Sequence, residues 1–301
     1  MLNKIVPQPL TLKSLMDYSL TNFADKTAVS FVEGSPMTYK ELGEGIDAMA
    51  ALLQSFGLQK GDKVALYCQN MPNWVIAYFS VVSYGMIIVP VLPDFTAAEF
   101  ENVVQHSEAK VLFVSERLKA RAQSVDLPLI KAMISVDKLE VISGEVIESV
   151  SMPVKVEVEE DDIAAIIYTS GTTGRSKGVV LTHKNITFVA SQSFTFHPIN
   201  YEDVFLSFLP LSHTYENSIG MLFPLIYGAS IYYLEKPPTA SSLIPAMQKI
   251  RPSMMLSVPL IMEKLYKSQI QAKFVKTKFS RFIYKNPLFR KLIHRIAGKK
   301  L

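Results

Sequence analysis

The clearest pattern along the chain is a stretch without charged residues, from 64 to 93, that contains three apolar segments. Residues 64–68 and 86–91 are short apolar runs, which predict buried β-strands, the first of them beginning at Lys63. The segment 74–84 has the length of a buried helix. Polar turn residues and a glycine separate the three segments. Strand, helix and strand in this order form a parallel crossover unit, so the pattern predicts an α/β domain.

The same stretch is long enough to cross a bilayer, and a membrane-spanning helix is the alternative interpretation. Its interior contains Pro72 and Gly85 together with Asn and Gln residues, which interrupt the apolar run. The first residues lack the basic start and apolar core of a signal peptide. We therefore expect a buried α/β core and no membrane span.

Helical spacing and capping residues extend this architecture. Apolar residues recur at helical spacing over 39–56 and predict one helix, which either Thr38 or Ser35 can open. Thr96 and Glu99 have the spacing of a capping box, which predicts another helix. The segment 110–114 is then expected to form a strand.

An acidic run at 157–162 is typical of a solvated linker. We place a subdomain boundary there. The first α/β subdomain is expected to cover 1–160, and the second to cover 161–301 and to carry the loop described next.

The strongest chemical signal is the run of hydroxyl and glycine residues between 168 and 183. Glycine permits positive φ, so the backbone can turn N–H groups inward and form an anion-binding nest. Hydroxyl groups add donors, and a lysine adds a positive charge. Polyphosphate is the ligand that suits such a loop best. The residues concerned are Ser170, Gly171, Thr172, Thr173, Gly174, Lys177 and Gly178.

Spacing excludes two common phosphate-binding motifs. A Walker loop would need glycine at Ser176, directly before Lys177. The dinucleotide motif fails because Gly171 and Gly174 are three residues apart with no glycine between them. The apolar flanks 164–168 and 179–181 predict two strands, so the loop is expected to join a hairpin. A flexible surface turn explains one or two of these residues but not the full run.

The run resembles the signature phosphate loop of the adenylate-forming enzymes, with Ser176 where proline is commonest. The segment 209–216, Leu-Pro-Leu-Ser-His-Thr-Tyr-Glu, is similar to the next family motif in the form typical of long-chain fatty-acid–CoA ligases. Segments 258–266, 37–42 and 84–90 resemble three further family segments, and all matches keep the family order. The chain thus resembles the N-terminal portion of an AMP-forming long-chain fatty-acid–CoA ligase.

The resemblance implies stacked, mostly parallel sheets flanked by helices. It implies an enzyme that uses ATP with Mg²⁺ to convert a fatty acid to an acyl adenylate, and coenzyme A to convert that to acyl-CoA. It places His213, as the catalytic residue, where the acyl carboxylate meets the phosphates, and Tyr215 beside the acyl chain. Glu216 is expected to pair with a cation or cap a helix. The implied phosphate ligands are Thr169, Ser170, Gly171, Thr172, Thr173, Gly174, Lys177 and Gly178.

Several family features find no match in the chain: the motif with the magnesium-binding glutamate, the motif with the ribose-binding aspartate, and the C-terminal domain with its catalytic lysine. We therefore expect a fragment with weak nucleotide affinity and little or no turnover. Two alternatives remain open. One is an adenylating enzyme that passes its acyl group to a carrier protein, and the other is a non-catalytic chain that keeps the loop.

Composition adds expectations about location. The single cysteine, Cys68, lies in an apolar run and is expected to be a buried thiol in a reducing cytoplasm. Residues 264–301 contain twelve Lys or Arg and no Asp or Glu. Such a basic amphipathic segment either contacts the anionic inner face of a membrane or packs on other protein. No base-reading motif accompanies the charge and no spacing supports a metal site, so neither nucleic acid nor a protein-bound metal is expected.

Overall fold

The computed structural model describes residues 4–169 and 177–271 together with Asn286. Part of the predicted phosphate loop, 170–176, lies outside the described residues. Most of the basic segment 264–301 does so too, and its membrane contact stays a prediction.

Within the described ranges the chain forms strands and helices in alternation. In chain order the strands are β1 (Thr27–Phe31), β2 (Met37–Thr38), β3 (Lys63–Tyr67), β4 (Ile87–Val91), β5 (Val111–Val114), β6 (Ala132–Ser135), β7 (Glu140–Ser143), β8 (Ile163–Thr169), β9 (Lys177–Thr182), β10 (Val204–Ser207), β11 (Ser230–Tyr233) and β12 (Met254–Met255). The α-helices are α1 (Leu12–Phe23), α2 (Tyr39–Ser55), α3 (Pro72–Val82), α4 (Ala97–Ser107), α5 (Glu116–Ala122), α6 (His183–Gln192), α7 (Phe223–Ile226), α8 (Ala240–Ile250) and α9 (Pro259–Leu265). A 3₁₀ turn covers Ser193–Thr195, and π-helical turns cover Glu216–Leu222 and Tyr266–Gln271.

Both sheets are mixed but mostly parallel. The larger sheet has seven strands in the order β7-β6-β5-β3-β4-β8-β9, in which the edge strands β7 and β9 run antiparallel to their neighbours. The smaller sheet has five strands in the order β12-β10-β11-β1-β2, in which β2 runs antiparallel. The predicted α/β fold, with mostly parallel sheets flanked by helices, is confirmed.

A layer of helices lies between the two sheets. One apolar core combines residues of α1, α2 and α3 with strand residues of both sheets, such as Val29 of β1 and Val64 of β3. Trp74 and Tyr78 of α3 are buried there, with ring centroids 5.2 Å apart. A second core lies between the seven-stranded sheet and helices α4 and α5, and a third lies between the five-stranded sheet and α8. Helices therefore cover both outer faces as well as the middle.

The strand–helix–strand unit predicted from the charge-free stretch is β3, α3 and β4. Helix α3 begins at Pro72, two residues before the predicted start, because the fixed φ of proline suits the first turn. No helix in the described part of the chain has both the length and the apolar character needed to cross a membrane. The thiol of Cys68 is buried, as expected, and burial raises its pKa well above the ordinary value.

The predicted helix starts are also confirmed. The Thr38 hydroxyl accepts the Glu41 N–H, and the Glu41 carboxylate accepts the Thr38 N–H. Thr96 and Glu99 make the same reciprocal pair at the start of α4. A capping box is local, so sequence spacing was sufficient to identify the one at Thr96, and the structure adds the one at Thr38.

The subdomain boundary at residue 160 stays a prediction. Each sheet takes strands from both sides of it, since β8 pairs with β4 and β1 pairs with β11. The acidic run before β8 is not only solvated: Asp162 pairs with Lys60 at 2.7 Å, and Glu160 pairs with Lys184 at 3.0 Å. These ion pairs attach the start of β8 to its surroundings.

Two glycines allow the packing beside the helix layer to be tested. Gly228 and Gly61 both have positive φ, 72° and 87°. A Cβ at Gly228 would lie 2.4 Å from the Phe23 ring, whereas no described atom lies within 4 Å of one at Gly61.

We expect Gly61→Ala to lower the free energy of unfolding by about 1 kcal/mol. Gly228→Ala should lower it by about 2–4 kcal/mol, because steric overlap adds to backbone strain. Urea unfolding of both variants measures the difference, and equal losses would contradict it.

Candidate functional site

Strands β8 and β9 form the hairpin that the sequence predicts around the phosphate loop, and we call it the phosphate hairpin. They pair antiparallel, and the last pair, Thr169 with Lys177, lies directly beside residues 170–176. Because β8 runs parallel to β4, Thr169 lies at the carboxyl edge of the seven-stranded sheet. Both Thr169 and Lys177 are exposed there. The other predicted ligands, Ser170, Gly171, Thr172, Thr173 and Gly174, lie outside the described residues.

The base of this hairpin is held by packing. Tyr168 pairs across the strands with Gly178, and a Cβ at Gly178 would lie 2.9 Å from the Ile166 side chain and 3.3 Å from the Tyr168 ring. The Tyr168 hydroxyl lies 2.7 Å from Nδ1 of His106 at the end of α4. Gly178 was predicted as a phosphate ligand, and the described contacts give it a packing role. The lack of a side chain at Gly178 leaves room for the Ile166 side chain and the Tyr168 ring.

The segment 209–216, which we call the His213 segment, follows β10 and leads into the π-helical turn Glu216–Leu222. His213 and Tyr215 are both exposed. The backbone of His213 is held, since its N–H donates to Pro210 O at 3.0 Å and its carbonyl accepts from Asn217 N at 2.9 Å. The imidazole is therefore presented to solvent from an ordered backbone just beyond the carboxyl end of β10.

The carboxyl ends of parallel strands from both sheets meet at one cleft of about 240 Å³. Residues that follow β3, β4, β10 and β11 line it, among them Asn70, Asp94, Pro210 and Lys236. Open α/β sheets bind ligands at this edge, where the strands end and the connecting loops diverge. The phosphate hairpin and the His213 segment each extend from a carboxyl end of this kind.

A second concavity lies between α6 and the Glu216–Leu222 turn. It has a volume of about 410 Å³, within the range of about 300–1,000 Å³ typical of small-molecule sites. Tyr215 is part of its wall. Leu181, another wall residue, lies four residues after Lys177 on β9, a separation of about 13 Å at a strand rise of about 3.3 Å per residue. Its wall is mostly apolar: Leu181, Asn185, Ile186, Val189, Thr214, Tyr215, Ser218 and Ile219. We call this concavity the apolar groove.

Glu216 differs from what the sequence predicts. It is 1% exposed and forms no ion pair with a described residue. Its Oε1 accepts a hydrogen bond from the Ser207 hydroxyl at 2.6 Å, and its Oε2 has no partner among the described residues. Burial raises the pKa of Glu216 to about 8, and the Ser207 hydrogen bond acts in the opposite direction. The carboxyl is thus mostly protonated at neutral pH. A Cβ at Gly220 would lie 2.6 Å from its carboxyl carbon, so the turn needs glycine there.

His183, at the start of α6, has a structural environment. It is fully buried, and its Nδ1 accepts the Leu12 N–H at 3.2 Å. Burial lowers the pKa of His183 to about 4, although Asp162 opposes this change. The imidazole is therefore neutral at pH 7 and joins α6 to the start of α1.

Sequence reasoning missed two groups of residues. The first consists of Asn70 and Ser207, which lie behind the His213 segment, and the second consists of the groove residues on α6. Asn70 follows a strand and precedes Pro72, a pattern typical of an ordinary turn. Its contacts are with residues far along the chain, so no local signal could have identified it. In the described ranges, no group of three or more His, Cys, Asp or Glu side chains could hold a metal ion.

Comparisons with known proteins agree with this geometry. A family model described as "AMP-binding enzyme" matches residues 16–292. The peroxisomal long chain acyl-CoA synthetase 6 of Arabidopsis thaliana is 32% identical over 261 residues, which are 78% of this chain and 36% of that protein. A medium-chain fatty-acid–CoA ligase of Escherichia coli (strain K12) is 29% identical over 241 residues, 74% of this chain and 42% of that protein. The chain thus spans less than half the length of both relatives.

A solved structure shows the same fold. It is the O-succinylbenzoate coenzyme A synthetase of Bacillus subtilis in complex with ATP and a magnesium ion. The match has a TM-score of 0.70 at 23% identity and covers 83% of this chain and 65% of that chain. At this identity the likeness supports the architecture alone.

The buried Glu216 predicts a pH-dependent stability. Its pKa is about 8 in the folded chain and near 4.5 in the unfolded chain, so the folded state binds the proton more tightly. The stability contribution is therefore fully present below about pH 4.5 and is lost as pH rises through 8. Between pH 6 and 9 we expect the wild type to lose about 2–3 kcal/mol more stability than Glu216→Gln, which does not titrate.

Urea unfolding of both proteins at several pH values measures this difference. Glu44→Gln, which changes an exposed carboxyl, is the control and should follow the wild type. Parallel pH profiles for the wild type and Glu216→Gln would show that the carboxyl is not buried as described.

Proposed function

This chain belongs to the AMP-binding enzyme family, and we propose that it is the part of an acid–CoA ligase that holds ATP and an acyl carboxylate for adenylation. The observation that carries the proposal is the position of two loops. The phosphate hairpin and the His213 segment extend from carboxyl ends of parallel strands, and the apolar groove lies between β9 and Tyr215. Lys177, at the base of the proposed anion-binding loop, and Leu181, in the wall of the apolar groove, thus lie on the same strand, which supports a site that joins a nucleotide to a fatty acid.

In the proposed first step, a carboxylate oxygen of the acid attacks the α-phosphorus of ATP. A new oxygen–phosphorus bond forms, the bond to the bridging oxygen of pyrophosphate breaks, and an acyl adenylate results. In the second step, the thiol sulfur of coenzyme A attacks the acyl carbon, AMP leaves, and the thiol proton passes to solvent. Because both reactants of the first step are anions, the protein's main contribution is to position them and to offset their charge.

The residues of this chain have distinct roles in the proposal. Lys177 provides a positive charge against the β- and γ-phosphates, and the hydroxyl and N–H groups at 169–174 donate hydrogen bonds to them. His213 orients the carboxylate, and Tyr215 borders the acyl chain. Mg²⁺ would enter with ATP and offset part of the phosphate charge. The use of coenzyme A as acceptor is supported by family membership.

We propose a long alkyl chain as the acyl group. The apolar wall of the groove supports an alkyl chain, and the name of the Arabidopsis thaliana relative supports a long one. The Escherichia coli relative is named for medium-chain acids, so the length is a matter for direct measurement. Calorimetric titration with octanoate, dodecanoate and hexadecanoate decides it, and the tightest binding of octanoate would overturn the long-chain proposal.

Lys177 provides the test of the nucleotide site. We expect Lys177→Ala to weaken binding of ATP with Mg²⁺ by about tenfold or more, because a charge-assisted contact to phosphate is lost. Lys184→Ala is the matched control, since it removes the same charge close to β9 from a lysine already paired with Glu160. Isothermal titration calorimetry measures both. Equal affinities for Lys177→Ala and Lys184→Ala would exclude the proposed role of Lys177.

The apolar groove is tested by filling it. Val189 and Phe188 are neighbours on α6 and are 48% and 50% exposed, but only Val189 lines the groove. We expect Val189→Trp to weaken binding of dodecanoate by about tenfold, because the larger ring occupies the alkyl site. Its affinity for ATP should stay unchanged. Phe188→Trp, the control, should change neither affinity, and unchanged dodecanoate binding in Val189→Trp would place the acyl site elsewhere.

A further inference from the structure

We propose that Asn70 is a positioning residue that fixes the backbone of the segment carrying His213 and Tyr215. The inference rests on the function proposed for those two residues. Asn70 follows β3 of the seven-stranded sheet, whereas the segment follows β10 of the five-stranded sheet. One side chain therefore joins the carboxyl edges of both sheets.

The amide group of Asn70 binds the segment on both sides of Pro210. Its Nδ2 donates to Leu209 O at 2.7 Å, and its Oδ1 accepts the Leu211 N–H at 2.9 Å. Proline has no N–H of its own, so these are the backbone groups available next to it. The two bonds fix the direction of the chain just before His213.

The same amide extends into a buried network. Asn70 Nδ2 also donates to the Ser207 hydroxyl at 3.3 Å, and Ser207 in turn donates to the Glu216 carboxyl at 2.6 Å. Asn217 Nδ2 donates to Leu211 O at 3.4 Å. Hydrogen bonds thus hold the segment before His213 at Leu209 and Leu211, and after Tyr215 at Glu216.

Asparagine suits this position for a chemical reason. The three bonds need two donors and one acceptor in one short planar group, which an amide has and a carboxylate lacks. Asparagine near a helix start commonly caps that helix, but here the cap residue of α3 is Met71, with no side-chain capping bond. The hydrogen bonds of the Asn70 amide go to residues 207–211 instead.

Asn73 provides a matched control. It has the same amide and lies three residues later, in the first turn of α3. Its Nδ2 donates to Val136 O at 2.8 Å and to Asp137 O at 3.2 Å, in the turn that follows β6. Asn70→Ala and Asn73→Ala remove equal groups from the same region, and only one of the two amides contacts the segment.

Hydrogen exchange followed by NMR tests the proposal directly. In Asn70→Ala we expect the Leu211 amide to exchange about tenfold faster, since its acceptor is lost, and the His213 ring resonances to shift. Asn70→Asp keeps the acceptor and loses the donors. It should keep Leu211 protected while the His213 resonances still move, and it serves as the second variant if Asn70→Ala does not fold. Asn73→Ala should leave both readouts as in the wild type.

Ligand titration separates this inference from the proposed function. If the wild type binds dodecanoate, Asn70→Ala should bind it about fivefold or more weakly than Asn73→Ala, while the affinity for ATP changes less than twofold. A wild type without dodecanoate or ATP binding would refute the proposed function, and the exchange and resonance data would still decide the role of Asn70. Unchanged Leu211 exchange and unchanged His213 resonances in both Asn70 variants would overturn the inference.

Discussion

Burial of one helical layer between two sheets is the constraint on which this structure depends. Helix α3 is apolar on nearly all sides, and every residue from Trp74 to Val82 is buried. A helix of this kind is stable only where other elements cover it on all sides. Strands of both sheets, together with α1 and α2, provide that cover. The shared core therefore brings the carboxyl edges of the two sheets to one cleft, although pairs such as β4 with β8 and β1 with β11 join strands far apart in sequence.

At this edge, Thr169 and Tyr215, which have proposed chemical roles, each stand beside a buried residue that makes a polar contact. Thr169 is exposed and Tyr168 is buried, with its hydroxyl against His106. Tyr215 is likewise exposed, and Glu216 is buried against Ser207. Buried polar groups demand partners, so they restrict the conformations of the loops that carry the exposed groups. A protonated carboxyl suits this role at neutral pH because it avoids the cost of burying a charge.

The parts that could be predicted from sequence are those in which the relevant interactions are local. The run β3, α3 and β4 was predicted because continuous apolar segments of these lengths have few other stable uses. The capping box at Thr96 was predicted because both partners lie within one helical turn. The β8–β9 hairpin was predicted because two apolar strands flank a short polar loop. By contrast, the pairing of β1 with β11 crosses the boundary placed at 160, and nothing near either strand indicates its partner.

Sequence by itself determined the family, the α/β class and the identity of the candidate phosphate and carboxylate residues, because family motifs are contiguous and fold periodicity is local. Only the tertiary structure decided that Glu216 is a buried, mostly protonated group without an ion pair to any residue in the described ranges. It also decided that Gly178 makes room for Tyr168, that α6 forms one wall of the apolar groove, and that Asn70 reaches the His213 segment. The physical reason is the same in each case: burial and hydrogen bonding depend on which distant segments come together, and packing around the shared helix layer determines that.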